Sequence, residues 1–315
     1  MSERKSAPPA AAGLVTGGVV EGVGSLKSVS FSSPYMGGSA LGTTAAIDRK
    51  GPSPYRSTGC VTGAGMVDWV AKLKRELTRP FRRNTPPAIP LDFSAFQKAL
   101  LKKVRPYTMT SNERVAVLEA AVRHVVAQDY PGAFVECGVA KGGSTMAMAY
   151  TLLELGISNR ELYLYDTFEG MPEPEDVDRG RFGEPAAKSW RKRRDDQGHS
   201  TWINHGLDEV KANLALTGYP SGRLHFVKGK VEETLPTQPP PGAIAILRLD
   251  TDWYASTKAE LDHLYPKLVR GGIVIIDDYF RWQGARKAAD DYVSEHRVPI
   301  FWVRVDDASV IGIKP

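Results

Sequence analysis

From about residue 91 onward, short apolar runs alternate with stretches of helical periodicity, and this alternation restricts the fold more than any other feature of the chain. Residues 134–137, 162–165, 224–227, 243–249 and 273–276 read as buried strands. Between them lie helical patterns. One opens at Ser111 and carries Val115, Leu118, Ala121, Val122 and Val125 on one face. Others cover 144–155, ending at Gly156, then 207–216, 257–268 and 284–296. Strands separated by helices pair in parallel and need helices on both faces of the sheet, so an α/β fold is expected. Two further runs, 300–305 and 309–313, have no helix between them and predict an antiparallel hairpin at the sheet edge, making seven strands. Residues 170–205 read as a polar, irregular stretch, and the chain shows no internal repeat.

The N-terminal part differs. Residues 1–65 are dominated by Gly, Ser, Ala and Pro, as in Gly37-Gly38-Ser39 and Gly51-Pro52-Ser53-Pro54. Such a composition buries too little apolar surface to repay its ordering entropy, so a disordered tail is expected. In the next segment, 66–90, Met66, Trp69, Val70, Leu73 and Leu77 recur at helical spacing, with Lys72, Lys74, Arg75, Arg79, Arg82 and Arg83 on the other side. This predicts a basic amphipathic helix over 66–83, followed by a Pro-rich linker. The helix either packs on the domain or contacts a membrane surface or a protein partner.

The chain's net charge of +5 traces to this region: residues 1–90 hold twelve Lys/Arg against five Asp/Glu, which leaves 91–315 at −2. The 91–315 domain therefore carries no electrostatic signature of a nucleic-acid binder. The two cysteines, Cys60 and Cys137, make neither a disulfide framework nor a zinc site, and fit a reducing, cytoplasmic compartment. No apolar run reaches the eighteen or so residues of a membrane span. Arg4 and Lys5 are not followed by an apolar stretch, so no secretory signal is expected, and Glu3 and Glu21 argue against a transit peptide.

Three motifs carry chemistry. Glu136-Cys-Gly138-Val-Ala-Lys-Gly142-Gly143-Ser144 sits between a strand and a helix, where glycines let backbone N–H groups approach a ligand at the helix N-terminus. Ala140 stands two residues after Gly138, so the dinucleotide pattern G-x-G-x-x-G is absent, and a ligand with a carboxylate but no pyrophosphate suits the turn. Asp166 ends the second strand, 28 residues past Gly138, where it either accepts bonds from ribose hydroxyls or caps a loop. Asp250, and Asp277 with Asp278, end two successive strands. Parallel pairing brings these carboxylates to one sheet edge, where they repel one another and call for a cation or a shared proton. An all-oxygen set suits Mg²⁺ or a similar hard ion; the bland alternative is a group of solvated loop acids. Arg248 shares a strand face with Asp250 and either pairs with the carboxylates or forms a structural ion pair. The basic run Lys188 to Arg194, with Trp190, Trp202, His199 and His205, reads as a solvated face or a mobile cover.

Five blocks, Glu136–Thr145, Asp166–Pro172, Lys228–Pro236, Arg248–Thr257 and Gly271–Tyr279, occur in the order seen in the macrocin O-methyltransferase family, and the chain resembles that family over roughly 105–315. The resemblance implies a Rossmann-like seven-stranded methyltransferase sheet, S-adenosyl-L-methionine and Mg²⁺ as cofactors, and methylation of a hydroxyl on a sugar or glycosylated natural product. It implies that Met109, Thr110, Glu136, Gly138, Gly142, Gly143 and Ser144 contact the cofactor, that Asp166 holds its ribose with Phe168 nearby, and that Asp250, Asp277 and Asp278 bind the metal. Asp250 would take the proton or position a base. A small-molecule acceptor and a homo-oligomer are the expected partners. The family pattern has an aromatic residue and Arg where Ala140 and Lys141 stand, and Asp-Gly-Asp-Leu-Tyr-Glu where this chain has Asp250-Thr-Asp-Trp-Tyr-Ala255. These departures fall on the pocket rim and leave the acceptor open, a phenol or catechol being the alternative. The rival classes are a nucleotide-dependent oxidoreductase and a non-catalytic methyltransferase-like module.

Overall fold

The structure, a computed structural model, describes residues 88–315; the expected tail over 1–65 and the amphipathic helix over 66–83 lie outside the described residues. Helix α1 (Ala95–Val104) is opened by a capping box in which Ser94 Oγ accepts from the Gln97 N–H at 3.1 Å and Gln97 Oε1 accepts from the Ser94 N–H at 3.0 Å. Helix α2 (Asn112–Ala127) starts at Ser111, whose Oγ accepts from the Arg114 N–H, as the sequence predicts. The remaining elements are β1 (Ala133–Cys137), α3 (Gly143–Glu154), β2 (Leu162–Asp166), α4 (Ala186–Arg191), α5 (Leu207–Ala215), β3 (Leu224–Lys228), α6 (Val231–Thr234), β4 (Ile244–Leu249), α7 (Tyr254–Leu264), β5 (Leu268–Ile276), α8 (Gln283–His296), β6 (Val303–Arg304) and β7 (Val310–Ile313).

The sheet order is β3-β2-β1-β4-β5-β7-β6. The first five strands are parallel and the last two antiparallel. The α/β sheet with its antiparallel edge hairpin is thus the predicted one. Its faces are covered unequally. Phe134, Ile246, Ile273 and Ile275 pack under α1, α2, α3 and α5, whereas Val135, Leu247, Val274 and Ile276 pack under α7 and α8. Full burial of β1 and β4 on both faces explains why these strands read as continuous apolar runs rather than alternating ones. Among the described residues no helix is long and apolar enough to cross a membrane.

The strand order reverses between β1 and β4, and ligands of open α/β sheets bind at such a switch point. Register sharpens the position. Cys137 lies opposite both Tyr165 and Leu249, and Leu249 lies opposite Ile276. The next residues, Gly138, Asp166, Asp250 and Asp277, therefore leave the sheet in one row.

Several boundaries differ from the sequence expectation: β5 starts at Leu268 rather than 273, β6 is confined to Val303–Arg304, and both ends of α7 move. Helix α7 begins at Tyr254 rather than 257, because the Tyr254 N–H donates to Asp178 Oδ1 at 2.8 Å, a cap from 76 residues away. It ends at Leu264 in a 3₁₀ turn containing Pro266 rather than running to 268. The polar insert contains the short helix α4 and is pinned by tryptophans. Trp202, Trp253 and Trp282 meet edge to face with centroids 5.0–6.1 Å apart. The Trp190 and Trp253 indoles donate to the Met171 and Pro172 carbonyls at 2.9 and 3.1 Å.

Candidate active site

A cleft of about 520 Å³ opens at the switch point. One wall is the turn after β1. Gly138 has φ +82°, and a Cβ there would sit 2.5 Å from the Asp250 carbonyl carbon, so only glycine lets β1 and β4 approach this closely. Gly143 starts α3 beneath the 107–110 segment; a Cβ on it would lie 2.5 Å from the Tyr107 carbonyl oxygen. Thr108 and Thr110 are joined through their hydroxyls at 2.9 Å, and Met109 and Thr110 both border the cleft. Asp166 clamps the turn: one oxygen accepts from the Val139 and Ala140 N–H groups at 2.7 and 3.2 Å, the other from the Phe168 N–H at 2.7 Å. The first oxygen thus spends both lone pairs on the turn, whereas the second keeps one for a further donor, since the Thr167 hydroxyl 3.4 Å away donates to the Gly170 carbonyl at 2.7 Å.

Ten of the expected site residues border this one cleft: Met109, Thr110, Glu136, Gly138, Gly143, Ser144, Asp166, Asp250, Asp277 and Asp278. Two do not. Gly142 faces away, at φ +89°, as the N-cap of α3 packed against Leu214 of α5; it shapes the turn and does not line the pocket. Phe168 is 3% exposed and lies in the core beside Phe226, so its side chain is turned from the cleft.

The opposite wall is acidic. Asp250, Asp277 and Asp278 each offer an oxygen, and these oxygens lie within 4.8 Å of one another. Burial, reinforced by the neighbouring carboxylates and only partly offset for Asp250 by Arg248, pushes the Asp250 and Asp278 carboxyls well above the usual range. Asp252, in the left-handed region at φ 69°, is a fourth acid at this wall, raised to about 7 by burial and by Asp250. One buried oxygen, Asp278 Oδ2, has no hydrogen-bond partner.

Two arginines counter this charge. Arg248 is 3% exposed and reaches Glu136 Oε1 at 2.6 Å, Asp250 Oδ2 at 2.8 Å and Asp277 Oδ1 at 2.8 Å. Both sequence readings are met: Arg248 pairs with the clustered carboxylates and forms a buried ion pair with Glu136. Glu136 spends its second oxygen on the Thr145 hydroxyl, so both of its oxygens are engaged within the protein. The other arginine, Arg114 in the first turn of α2, contacts Asp277 and Asp306; no motif marks it in the sequence. Ile203, Trp282, Met171 and Arg281 also line the cleft and were outside the expected site residues; Trp202, expected in a solvated face or mobile cover, lines it too.

The model of the macrocin O-methyltransferase (TylF) family matches residues 97–312. The 8-demethyl-8-(2,3-dimethoxy-alpha-L-rhamnosyl)-tetracenomycin-C 4'-O-methyltransferase of Streptomyces olivaceus is 36% identical over 219 residues, covering 66% of this chain and 79% of that protein. The mycinamicin III 3''-O-methyltransferase of Micromonospora griseorubida is 28% identical over 204 residues, covering 65% of this chain and 77% of the relative. In three dimensions the chain is similar to the O-methyltransferase NovP, with a TM-score of 0.58 at 27% identity, over 66% of this chain and 82% of that one. With the family match spanning the sheet and every residue of the cleft described above, the chain belongs to the macrocin O-methyltransferase family and is an S-adenosylmethionine-dependent O-methyltransferase.

Proposed function

We propose that the enzyme methylates a hydroxyl of a sugar or glycosylated small molecule, with Mg²⁺ held by Asp250, Asp277 and Asp278. The observation that carries this reading is the carboxylate trio itself: three oxygens within 4.8 Å of one another, on the wall that faces the cofactor turn. The donor set fits the ion. All ligands are hard oxygens, and the buried, unpartnered Asp278 Oδ2 is costly unless something pairs with it. Bound there, Mg²⁺ supplies Lewis acidity that lowers the pKa of a hydroxyl.

The chain's own residues supply the rest. Gly138, Gly143 and Ser144, with Met109 and Thr110, give the methionine end of the cofactor its seat, and the Asp166 oxygen that accepts from Phe168 has a lone pair for a ribose hydroxyl. Asp250 opens onto the cleft, where it can accept the hydroxyl proton while Arg248 holds it in place. The tryptophan wall excludes water on the acceptor side. Fixing acceptor oxygen and methyl donor between these two walls turns an in-line displacement into an effectively unimolecular step. The sugar acceptor is supported by the rhamnosyl substrate named for the Streptomyces olivaceus relative. The apolar wall of Trp202, Trp282 and Met171 suits an aglycone or the carbon-bound face of a sugar. A cytoplasmic, self-associating enzyme is part of the same reading, and light scattering on the purified protein tests the self-association. The experiment for function is release of S-adenosylhomocysteine across a panel of glycosylated and phenolic acceptors, with and without EDTA. Turnover on glycosides alone supports the sugar reading, and turnover on a catechol alone replaces it.

A further inference from the structure

We propose that Arg114 is a tethered counter-charge that competes with the divalent ion for Asp277 and yields to it. This inference rests on the metal reading above. Neither oxygen of Asp277 is uncommitted: Oδ1 takes Arg248 at 2.8 Å and Oδ2 takes Arg114. Asp278, by contrast, keeps Oδ2 free. An ion that takes Asp277 as a ligand must therefore contend with a guanidinium.

The two arginines are not equally able to give way. Arg248 is 3% exposed and bound to three carboxylates on three elements. Arg114 is 16% exposed and has a second anchor, donating from Nε to Asp306 Oδ2 at 2.7 Å. Asp306 is itself fixed in the β6–β7 turn. It accepts from Ser111 Oγ at 2.8 Å and from the Ala308 and Ser309 N–H groups at 2.8 and 2.9 Å. Arg114 can thus release Asp277 without becoming an unpaired charge, and the tether keeps it close enough to return. The arrangement neutralises the acidic wall when the ion is away and sets how tightly the ion binds.

The test is Mn²⁺ binding to the full chain, followed by electron paramagnetic resonance and calorimetry. Arg114→Met removes the competitor, and Mn²⁺ affinity rises about tenfold. Asp306→Asn unties the guanidinium, which then leans wholly on Asp277, and affinity falls about threefold. Circular dichroism checks both folds, and Arg114→Gln serves with the same expected sign if the Met variant is unstable. Opposite signs are the signature, since a merely structural arginine gives losses in both variants. A loss of affinity in Arg114→Met and Arg114→Gln, or a change below about twofold in both, overturns the proposal. Failure of the wild-type chain to bind Mn²⁺ at all removes the metal reading together with this one.

Discussion

Replacing Arg248 by Met tests whether the buried guanidinium holds the cleft together. The substitution keeps the aliphatic stem and deletes a charge that reaches Glu136 at 2.6 Å and Asp250 and Asp277 at 2.8 Å. Glu136 is 1% exposed and Asp277 2%, so water cannot replace the lost partner. Breaking a buried ion pair from one side costs about 3–5 kcal/mol, a large share of the roughly 5–15 kcal/mol that stabilises a domain. At about 2–4 °C per kcal/mol for a domain of this size, Tm should fall by roughly 6–20 °C. Glu136, whose carboxyl burial already raises against the pull of Arg248, will hold its proton still more tightly in the folded state. A carboxyl with a raised folded-state pKa favours folding at low pH, so the gap to wild type should narrow from about pH 8 to about pH 5. Adding Glu136→Gln should restore at least about 1 kcal/mol, because it removes one uncompensated charge. Thermal unfolding across pH for the two single variants, the double variant and wild type gives the answer. A Tm loss under about 3 °C, a gap independent of pH, or strict additivity would refute the reasoning.

Asp250→Asn should fold, bind S-adenosylhomocysteine within about twofold of wild type and lose turnover by at least about 10²-fold, read by calorimetry and product release. Gly138→Ala forces a side chain into the left-handed region at about 1–2 kcal/mol and into the Asp250 carbonyl, so both Tm and cofactor affinity should drop. Burial opposes ionisation of Asp306, but Arg114, Ser111 and two backbone N–H groups outweigh it and hold the carboxyl at about 2 against an ordinary 3.8. A depressed carboxyl stabilises above its unfolded pKa and loses that contribution as pH falls through the folded one. The Tm difference between wild type and Asp306→Asn should therefore be full above about pH 4 and fade toward pH 2. A difference that stayed constant over that range would show that Asp306 acts without its charge.

The sheet was legible because β1 and β4, and the second half of β5, are buried on both faces, which leaves apolar runs between helical patterns. The row of Gly138, Asp166, Asp250 and Asp277 was legible for a related reason: each directly follows or ends such a run, and parallel register brings strand ends together. What was hidden is non-local. Nothing near Tyr254 announces that Asp178 caps its helix, so the start of α7 was misplaced by a turn. Arg114 lies on an amphipathic helix where a basic residue normally means a solvated face, and only the fold brings Asp277 and Asp306 to it from 163 and 192 residues away. The insert over 170–205 read as polar because the residues Trp202 packs against, Trp253 and Trp282, lie outside it in the sequence. Gly142 and Phe168 went the other way. They sit in the right motifs, but the turn geometry points one at α5 and the other into the core.

The central claim is that Asp250, Asp277 and Asp278 hold a divalent ion needed for methyl transfer. Release of S-adenosylhomocysteine from the full chain with a glycosylated acceptor, measured in EDTA and again after Mg²⁺ is returned in excess, tests it directly. The account predicts that EDTA abolishes turnover while cofactor binding persists, and that Mg²⁺ restores the rate in wild type but not in Asp250→Asn. Undiminished turnover in EDTA would contradict it.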